Sequence, residues 1–498
     1  MISGVGSVLA IDLGTSGVKV AVVDPDGKVV ASASAPLLTI HLPDGGAEQD
    51  AELWWRLIGE CARRVVRECE IETVAVTSQY MSIVAIDAAG TPLMNAIMWM
   101  DSRGARHHRI AREPGVADLF LERHGMVPLG YDDQGHIAFI REERPEVYAA
   151  AAAFVEPVDY VNARLSGRIA ATQTTAMPLM TVDNRTHGAT AYDDDLVAAS
   201  RIDPSKLPPL VPYDEILGHV TAAAAAHLGI TTAAVVVTGT VDSITSGVGC
   251  GVIDDRTCGV IIGTTTVIVT NLDRKAADVD HGLVSVPSPL PNRWFVMAEN
   301  GVGGRALELW LRIADGTFDD GERDAADVDA GSDGVLFLPW LAGSLAPSSD
   351  IRMRGGFLNM GLETTRGHMT RAVYEGVALN AAWLLPHVAA FADAQWDSVR
   401  FGGGGASSAL WSQILSDATG VAVDQLADPR MANARGAAFL ALVQLGHIAV
   451  DDIPGMVGVT RTYEPDAGHH DVYVRALEHL VDFHERARPF YAAVNRRR

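Results

Sequence analysis

The chain has 498 residues, too many for a single hydrophobic core, so two or three domains are expected. Apolar residues make up 48% and charged residues 20%, which is a folded composition and not a disordered one. Acidic residues outnumber basic ones, 62 against 39, and the net charge of −23 argues against a nucleic-acid partner.

No apolar run approaches membrane-spanning length. The N-terminus lacks a basic region and its apolar run stops at Asp12, so no secretory signal is expected. Cys61, Cys69, Cys250 and Cys258 form no C-x-x-C pair, which suggests neither zinc nor a disulfide framework and fits a reducing cytoplasm.

The first stretch, Val8 to Val22, reads as strand, tight turn, strand. Asp12 breaks the apolar run just before Gly14-Thr15-Ser16-Gly17. Turn amides and hydroxyls can face an anion there, and Asp12 can hold the accompanying cation. A surface hairpin with a capping Asp is the plain alternative. Lys28 to Ala35 reads as a third strand. Asp50 is a candidate N-cap for a helix carrying Leu53, Trp54, Leu57, Ile58, Cys61, Val65 and Val66 at helical spacing, with both Trp54 and Trp55 in the core. Thr73 to Thr77 is a strand, and the loop Ser78-Gln79-Tyr80-Met81-Ser82 follows it, where α/β sheets commonly line ligand crevices. Ile83 to Asp87 is a strand and Pro145 to Gly167 reads as largely helical. Ala233 to Thr238 is a strand that ends at Gly239-Thr240-Val241-Asp242-Ser243, with a domain boundary near Gly249 to Asp255.

The second half repeats the first pattern. Cys258 to Thr270 gives strand, Gly263-Thr264-Thr265-Thr266, strand, with no Asp at the strand end. One such turn in each half suggests two similar domains facing each other across a cleft, unequal in charge, which suits one metal and one nucleotide. Phe295 to Glu299 is a strand and Arg305 to Ile313 a helix. Asp315 to Asp333 reads as a solvated acidic excursion, Val335 to Leu338 as a strand and Thr370 to Leu385 as a helix. Val399 to Phe401 runs into Gly402-Gly403-Gly404-Gly405-Ala406-Ser407, with a helix at Leu410 to Thr419 behind it. A glycine run between strand and helix lets backbone approach a nucleotide closely. Ala432 to Leu445 is a helix of small residues able to pack beside that loop. His107-His108 and His469-His470 read as unrelated exposed pairs, and Arg496-Arg497-Arg498 as a solvated tail.

Taken together, IDLGTSGVKV, EQDAELWW, MWMDSRG, DYVNARLSG, GTVDSITSGVGCG, IIGTTT, RGGFLNMGLETTRGHMTRAVYEGVALN and FGGGGASSALWSQILSDATG resemble the FGGY family of carbohydrate kinases, nearest its xylulokinase-like members. The resemblance covers nearly the whole chain. It implies an α/β fold of two actin-like, ribonuclease H-like domains flanking an ATP and substrate cleft. Residues 1–250 would be the sugar-binding domain, with the metal and the first phosphate hairpin, and 251–498 the nucleotide-binding domain. It implies transfer of the γ-phosphate of ATP, with Mg²⁺, to a hydroxyl of a small sugar or polyol. D-xylulose ranks first; another ketose or polyol of erythritol or ribulose type, or a non-sugar actin-like ATPase, is the alternative.

By position, Asp242 matches the catalytic base and Asp12 the metal-associated carboxylate. Thr15 and Ser16 match the first phosphate hairpin, Gly263, Thr264 and Thr265 the second, and Gly404, Gly405 and Ala406 the adenosine loop. Gln79, Tyr80, Met81, Trp99 and Asp101, with Asp242, fall where the family contacts the sugar. Tyr80-Met81-Ser82 stands where xylulokinases usually carry Met-His-Gly and glycerol kinases Arg-Glu. His136 replaces the usual lysine of the family's N-terminal signature, and Gly343-Ser344-Leu345 the usual Gly-Glu-Arg. The implied setting is cytoplasmic, with sugar and ATP as partners, neither nucleic acid nor membrane, and a homodimer left open.

Overall fold

Each glycine-flanked hairpin starts a sheet of its own. The computed structural model describes residues 6–67, 69–107 and 113–495; His108, Arg496, Arg497 and Arg498 lie outside the described residues. The chain divides into two compact units. One takes Met1–Gly249, Val286–Arg293 and Asn433–Met456; the other takes Cys250–Ser285, Trp294–Ala432 and Val457–Arg498.

In the first unit the strand Ser7–Gly14 lies at the centre of the sheet. It pairs antiparallel with Gly17–Val23, which pairs antiparallel with Val29–Pro36. On its other side it runs parallel to Ile71–Ser78, itself parallel to Val235–Val237. A central strand covered on both faces must be apolar throughout, and Val8 to Ile11 are fully buried. The outer strand Val29–Pro36 instead alternates buried and exposed positions. The helix Ala51–Val65 begins at Asp50, whose side chain accepts the Glu52 amide at 2.9 Å. Both tryptophans are buried as the sequence reading expects. Trp54 donates its indole N–H to Gln49, and Trp55 stacks on His227.

The second unit has the same core order. Gly259–Ile262 pairs antiparallel with Thr265–Leu272, which pairs antiparallel with Trp294–Val302. Gly259–Ile262 also runs parallel to Ser398–Gly402, which runs parallel to Ala422–Leu426. Numbering the five strands of either core by sequence, the order across the sheet is 3-2-1-4-5 with strand 2 reversed. This is the ribonuclease H-like, actin-like topology, present twice. Among the described residues no helix is long and apolar enough to cross a membrane.

Two elements differ from the sequence reading. The stretch 145–167 contains a strand, Ala153–Val155, between the helices Pro145–Ala150 and Pro157–Ser166. It pairs with Val84–Ile86, a long-range gain that local periodicity does not register. The acidic excursion folds as the helix Phe318–Ala326, closed by a Thr317/Asp320 capping box. The small-residue helix, Ala432–Gln444, sets Gly436 against the helix Asp242–Gly249: a Cβ at Gly436 would sit 1.9 Å from the Thr245 carbonyl oxygen.

That contact generates a stability test. Helix propensity alone favours alanine over glycine by about 1 kcal/mol. A methyl driven into backbone cannot be relieved by a rotamer change, and overpacking costs roughly 1–3 kcal/mol or more. Gly436→Ala is therefore expected to lower the melting temperature, by roughly 2–4 °C for each kcal/mol lost. Calorimetry showing a raised melting temperature would mean that the two helices are not held at this spacing.

Candidate active site

In the first unit the hairpin loop is two residues, Thr15 and Ser16, closed by the pair Gly14 and Gly17. Glycine is needed at 17, where a Cβ would lie 2.8 Å from the Ala35 carbonyl oxygen. The register sets Asp12 opposite Lys19. The Lys19 Nζ donates to Asp12 Oδ2 at 3.2 Å. Asp12 is 2% exposed, and its other oxygen, Oδ1, is buried with no hydrogen-bond partner. A carboxylate oxygen left bare in the interior fits a cation.

Asp242 opens the helix Asp242–Gly249, directly after the short strand Thr240–Val241 that pairs with Ile71–Ser78. Burial raises its carboxyl to about 7, and the Asp12 carboxylate adds to that rise. The Ser243 amide and Lys19 pull the other way. The result is a carboxyl that changes charge near neutral pH, beside a second carboxylate, at the C-terminal ends of parallel strands.

The loop after Ile71–Ser78 is pinned to the same strand end, since the Gln79 amide donates to the Leu13 carbonyl at 2.8 Å. Gln79 is 2% exposed and both atoms of its side-chain amide are without partners. Tyr80 and Met81 are half-buried, and Met81 takes a left-handed backbone, φ 58°. Trp99 is 42% exposed and donates its indole N–H to the Thr15 hydroxyl at 3.1 Å, joining this loop to the hairpin. Asp101 is different. It is fully buried, and its carboxylate is taken up by Arg103 and by the Ala47 amide at 2.8 Å. It holds the Trp99 loop from behind.

In the second unit the turn is Gly263-Thr264, with Thr265 already in the strand. The helix Gly304–Ile313 starts against this turn: the Gly303 and Gly304 amides donate to the Thr264 and Gly263 carbonyls, at 3.1 and 2.8 Å. The glycine loop lies on the same strand. A Cβ at Gly403 would sit 2.5 Å from the Ile262 carbonyl oxygen, and one at Gly405 would sit 2.9 Å from the Ile262 side chain. Gly404 is exposed and has nothing within 4 Å of a Cβ position, so its outer side is open. Ala406 is buried, and its carbonyl accepts from the Gln425 side chain at 2.7 Å. Within this unit the structure brings Gly263, Thr264 and Thr265 together with Gly404, Gly405 and Ala406.

Two residues escaped the sequence reading. Lys19 could have been found from its place across a two-residue hairpin from Asp12. Glu322 lies in the stretch read as solvated. Both its carboxylate oxygens accept from Ser408 at 2.8 Å, and Ser408 caps the helix Ala409–Thr419 behind the glycine loop. Only the Thr317-x-x-Asp320 box hinted that this segment was ordered.

Residues 7–249 match the model of the FGGY family of carbohydrate kinases, N-terminal domain, and residues 258–445 match that of the C-terminal domain. Over 478 residues the chain is 27% identical to a xylulose kinase of Staphylococcus epidermidis, with 94% of each covered. Over 488 residues it is 28% identical to a gluconokinase of Bacillus subtilis, covering 92% of this chain and 91% of that one. The solved xylulose kinase from Rhodospirillum rubrum superposes with a TM-score of 0.82 at 27% identity, over 97% of this chain and 99% of that one. With both family domains matched in order along most of its length, this chain belongs to the FGGY family of carbohydrate kinases.

Proposed function

We propose that this carbohydrate kinase transfers the γ-phosphate of ATP, with Mg²⁺, to a hydroxyl of a small neutral sugar, with D-xylulose first among ketopentoses and polyols. The observation that carries the reading is the pairing of Asp242, poised near neutrality, with Asp12, whose free oxygen is buried one hairpin register from Lys19. Phosphoryl transfer asks for positioning and charge neutralisation, and a sugar hydroxyl also needs its proton taken. Asp242 serves as the base. Gln79, Tyr80, Met81 and Trp99 orient the acceptor, while Asp101 fixes the Trp99 loop. Thr15 and Ser16 in the first unit, and Gly263, Thr264 and Thr265 in the second, present turn groups to phosphates. Gly404, Gly405 and Ala406 form the loop for the adenosine, with Gly404 as its open backbone.

Asp12 would hold the Mg²⁺, which supplies charge neutralisation on the phosphates. Among the described residues no group of three His, Cys, Asp or Glu is disposed to hold a metal alone. This suits a cation that keeps water and phosphate oxygens as its other ligands. Asp12→Ala should remove most of the difference between nucleotide titrations run with and without Mg²⁺. A difference that persists at its wild-type size would reduce Asp12 to a turn residue.

The acceptor ranking is tested with ketoses, pentitols and aldonates assayed by ADP release. D-xylulose is expected to give the highest kcat/KM; turnover of gluconate or glycerol alone would remove it from the ranking.

The base is tested through pH. A base works only when ionised, so kcat/KM for the acceptor should rise with pH through about 7 and level off above it. Asp242→Asn should lose that limb and ~10²–10⁴-fold in kcat, with ATP binding kept. Stability moves the opposite way. A carboxyl raised in the folded state makes the wild type less stable as pH climbs from the ordinary carboxylate range to about 7. Asparagine does not titrate, so the variant should melt no lower than the wild type at pH 8. A variant with near wild-type turnover at pH 8 would make Asp242 a helix-start residue only.

A further inference from the structure

Behind the loop Ser78–Ser82 the first unit buries two acids that the proposed chemistry does not use. Asp133, at the start of the helix Asp133–Glu143, is 0% exposed, and Glu156, just before the helix Pro157–Ser166, is 2% exposed. Counting fixed donors, both oxygens of Asp133 and Oε1 of Glu156 have no partner. Glu156 Oε2 accepts only a long bond, 3.5 Å, from the Ser82 amide. Burial, with the neighbouring Asp133 carboxyl, holds the Glu156 carboxyl well above the usual range.

Three further groups converge here. His136 is fully buried, and its unpartnered Nδ1 lies 3.7 Å from Asp133 Oδ1. The Tyr80 hydroxyl is buried and unpartnered, and burial first, then Glu156 and Asp133, push the phenol's titration upward. The Gln79 amide, next in the chain, is unpartnered on both atoms. Structures rarely leave so many buried polar atoms unsatisfied in one place unless a ligand or water completes them. Tyr80 is itself half-buried, so the cluster stands one side chain behind accessible surface.

We infer that Asp133 and Glu156 set the acceptor class of this kinase: behind Tyr80 they favour a neutral, hydroxyl-rich acceptor and exclude an aldonate. The inference rests on the reading that Gln79 to Met81 face the acceptor. Carboxylate oxygens, a phenol and an amide match the donors and acceptors of sugar hydroxyls. An acceptor carboxylate brought to the same place adds a third acid to two buried carboxyls in a medium of low dielectric, and of these five groups only His136 can carry a positive charge. The matter is open on relatedness alone, because a xylulose kinase and a gluconokinase are equally distant from this chain.

The experiment is ADP release with D-xylulose, an uncharged pentitol and D-gluconate, on the wild type, Glu156→Gln and Asp133→Asn. For the wild type, kcat/KM with the better neutral acceptor should exceed that with gluconate by at least about 100-fold. In each variant the gluconate-to-neutral ratio should rise about tenfold or more, through a lower KM for gluconate, with KM for ATP unchanged. Variants that move all acceptors by the same factor overturn the inference, as does a wild type that uses gluconate within tenfold of the neutral acceptors. Should neither variant fold, the wild-type ratio decides alone. Should no acceptor turn over, the rise in melting temperature on adding each acceptor decides by the same ordering, and no rise with any of them overturns the inference. Use of the pentitol but not D-xylulose sinks only the D-xylulose ranking. An unchanged ratio in a working kinase sinks only the role of the acid pair.

Discussion

Asp12 is a charge near the end of a strand whose preceding residues, Val8 to Ile11, are apolar and fully buried, and Lys19 is the cation that answers it. A carboxylate in such surroundings is tolerated only with a partner. The hairpin provides that partner through register: a two-residue loop closed by Gly14 and Gly17 makes Asp12 and Lys19 cross-strand neighbours. Lys19 satisfies one oxygen and leaves the other bare. The charge on Asp12 then bears on Asp242, where it adds to the rise that burial causes. One register choice thus fixes the proposed cation site and bears on the proposed base. A slip of one residue would turn Asp12 to the opposite face of the sheet and undo both.

The second unit repeats the hairpin without the charge, and its geometry shows why the copy is not redundant. Its turn carbonyls accept the Gly303 and Gly304 amides, so the turn is braced by a helix start. Ile262, the last residue of its first strand, underlies Gly403 and Gly405. Backbone meets backbone at 403, where a side chain of any size would collide with the Ile262 carbonyl. The glycine run is therefore explained in part by packing on the hairpin strand. Only Gly404, open on its outer side, has no such packing reason.

Legibility in the sequence followed the range of the forces involved. The hairpins, the Asp50 cap, the tryptophan helix and the glycine loop are local patterns, and each was readable from neighbouring residues. The repeated hairpin suggested two similar domains, while their ribonuclease H-like strand order came only with the family resemblance. The strand Ala153–Val155 was not readable, because its identity comes from pairing with Val84–Ile86. The helix Phe318–Ala326 was hidden by its charge, since composition favoured solvent and only the capping box favoured order. In the candidate site, Asp12 was nameable from its turn, and Asp242 through the family resemblance. Lys19 needed the register, and the saturation of Asp101 by Arg103 and Ala47 needed coordinates.

The same division separates what makes this chain a kinase from what makes it selective. The proposed phosphate contacts are backbone amides, turns and the Asp12 carboxylate, and those demands write themselves into glycine spacing. An acceptor is read by side chains from segments far apart in sequence. Here Gln79 and Tyr80, Trp99, Asp133 and Glu156 come from separate elements of the first unit, and no local pattern ties them together. They lie outside the hairpin turns, and relatives of this chain carry the names of different acceptors, a xylulose kinase and a gluconokinase. Family membership therefore constrains the reaction far more tightly than the sugar. The selectivity of this chain has to be argued from which buried polar atoms its own side chains leave unanswered.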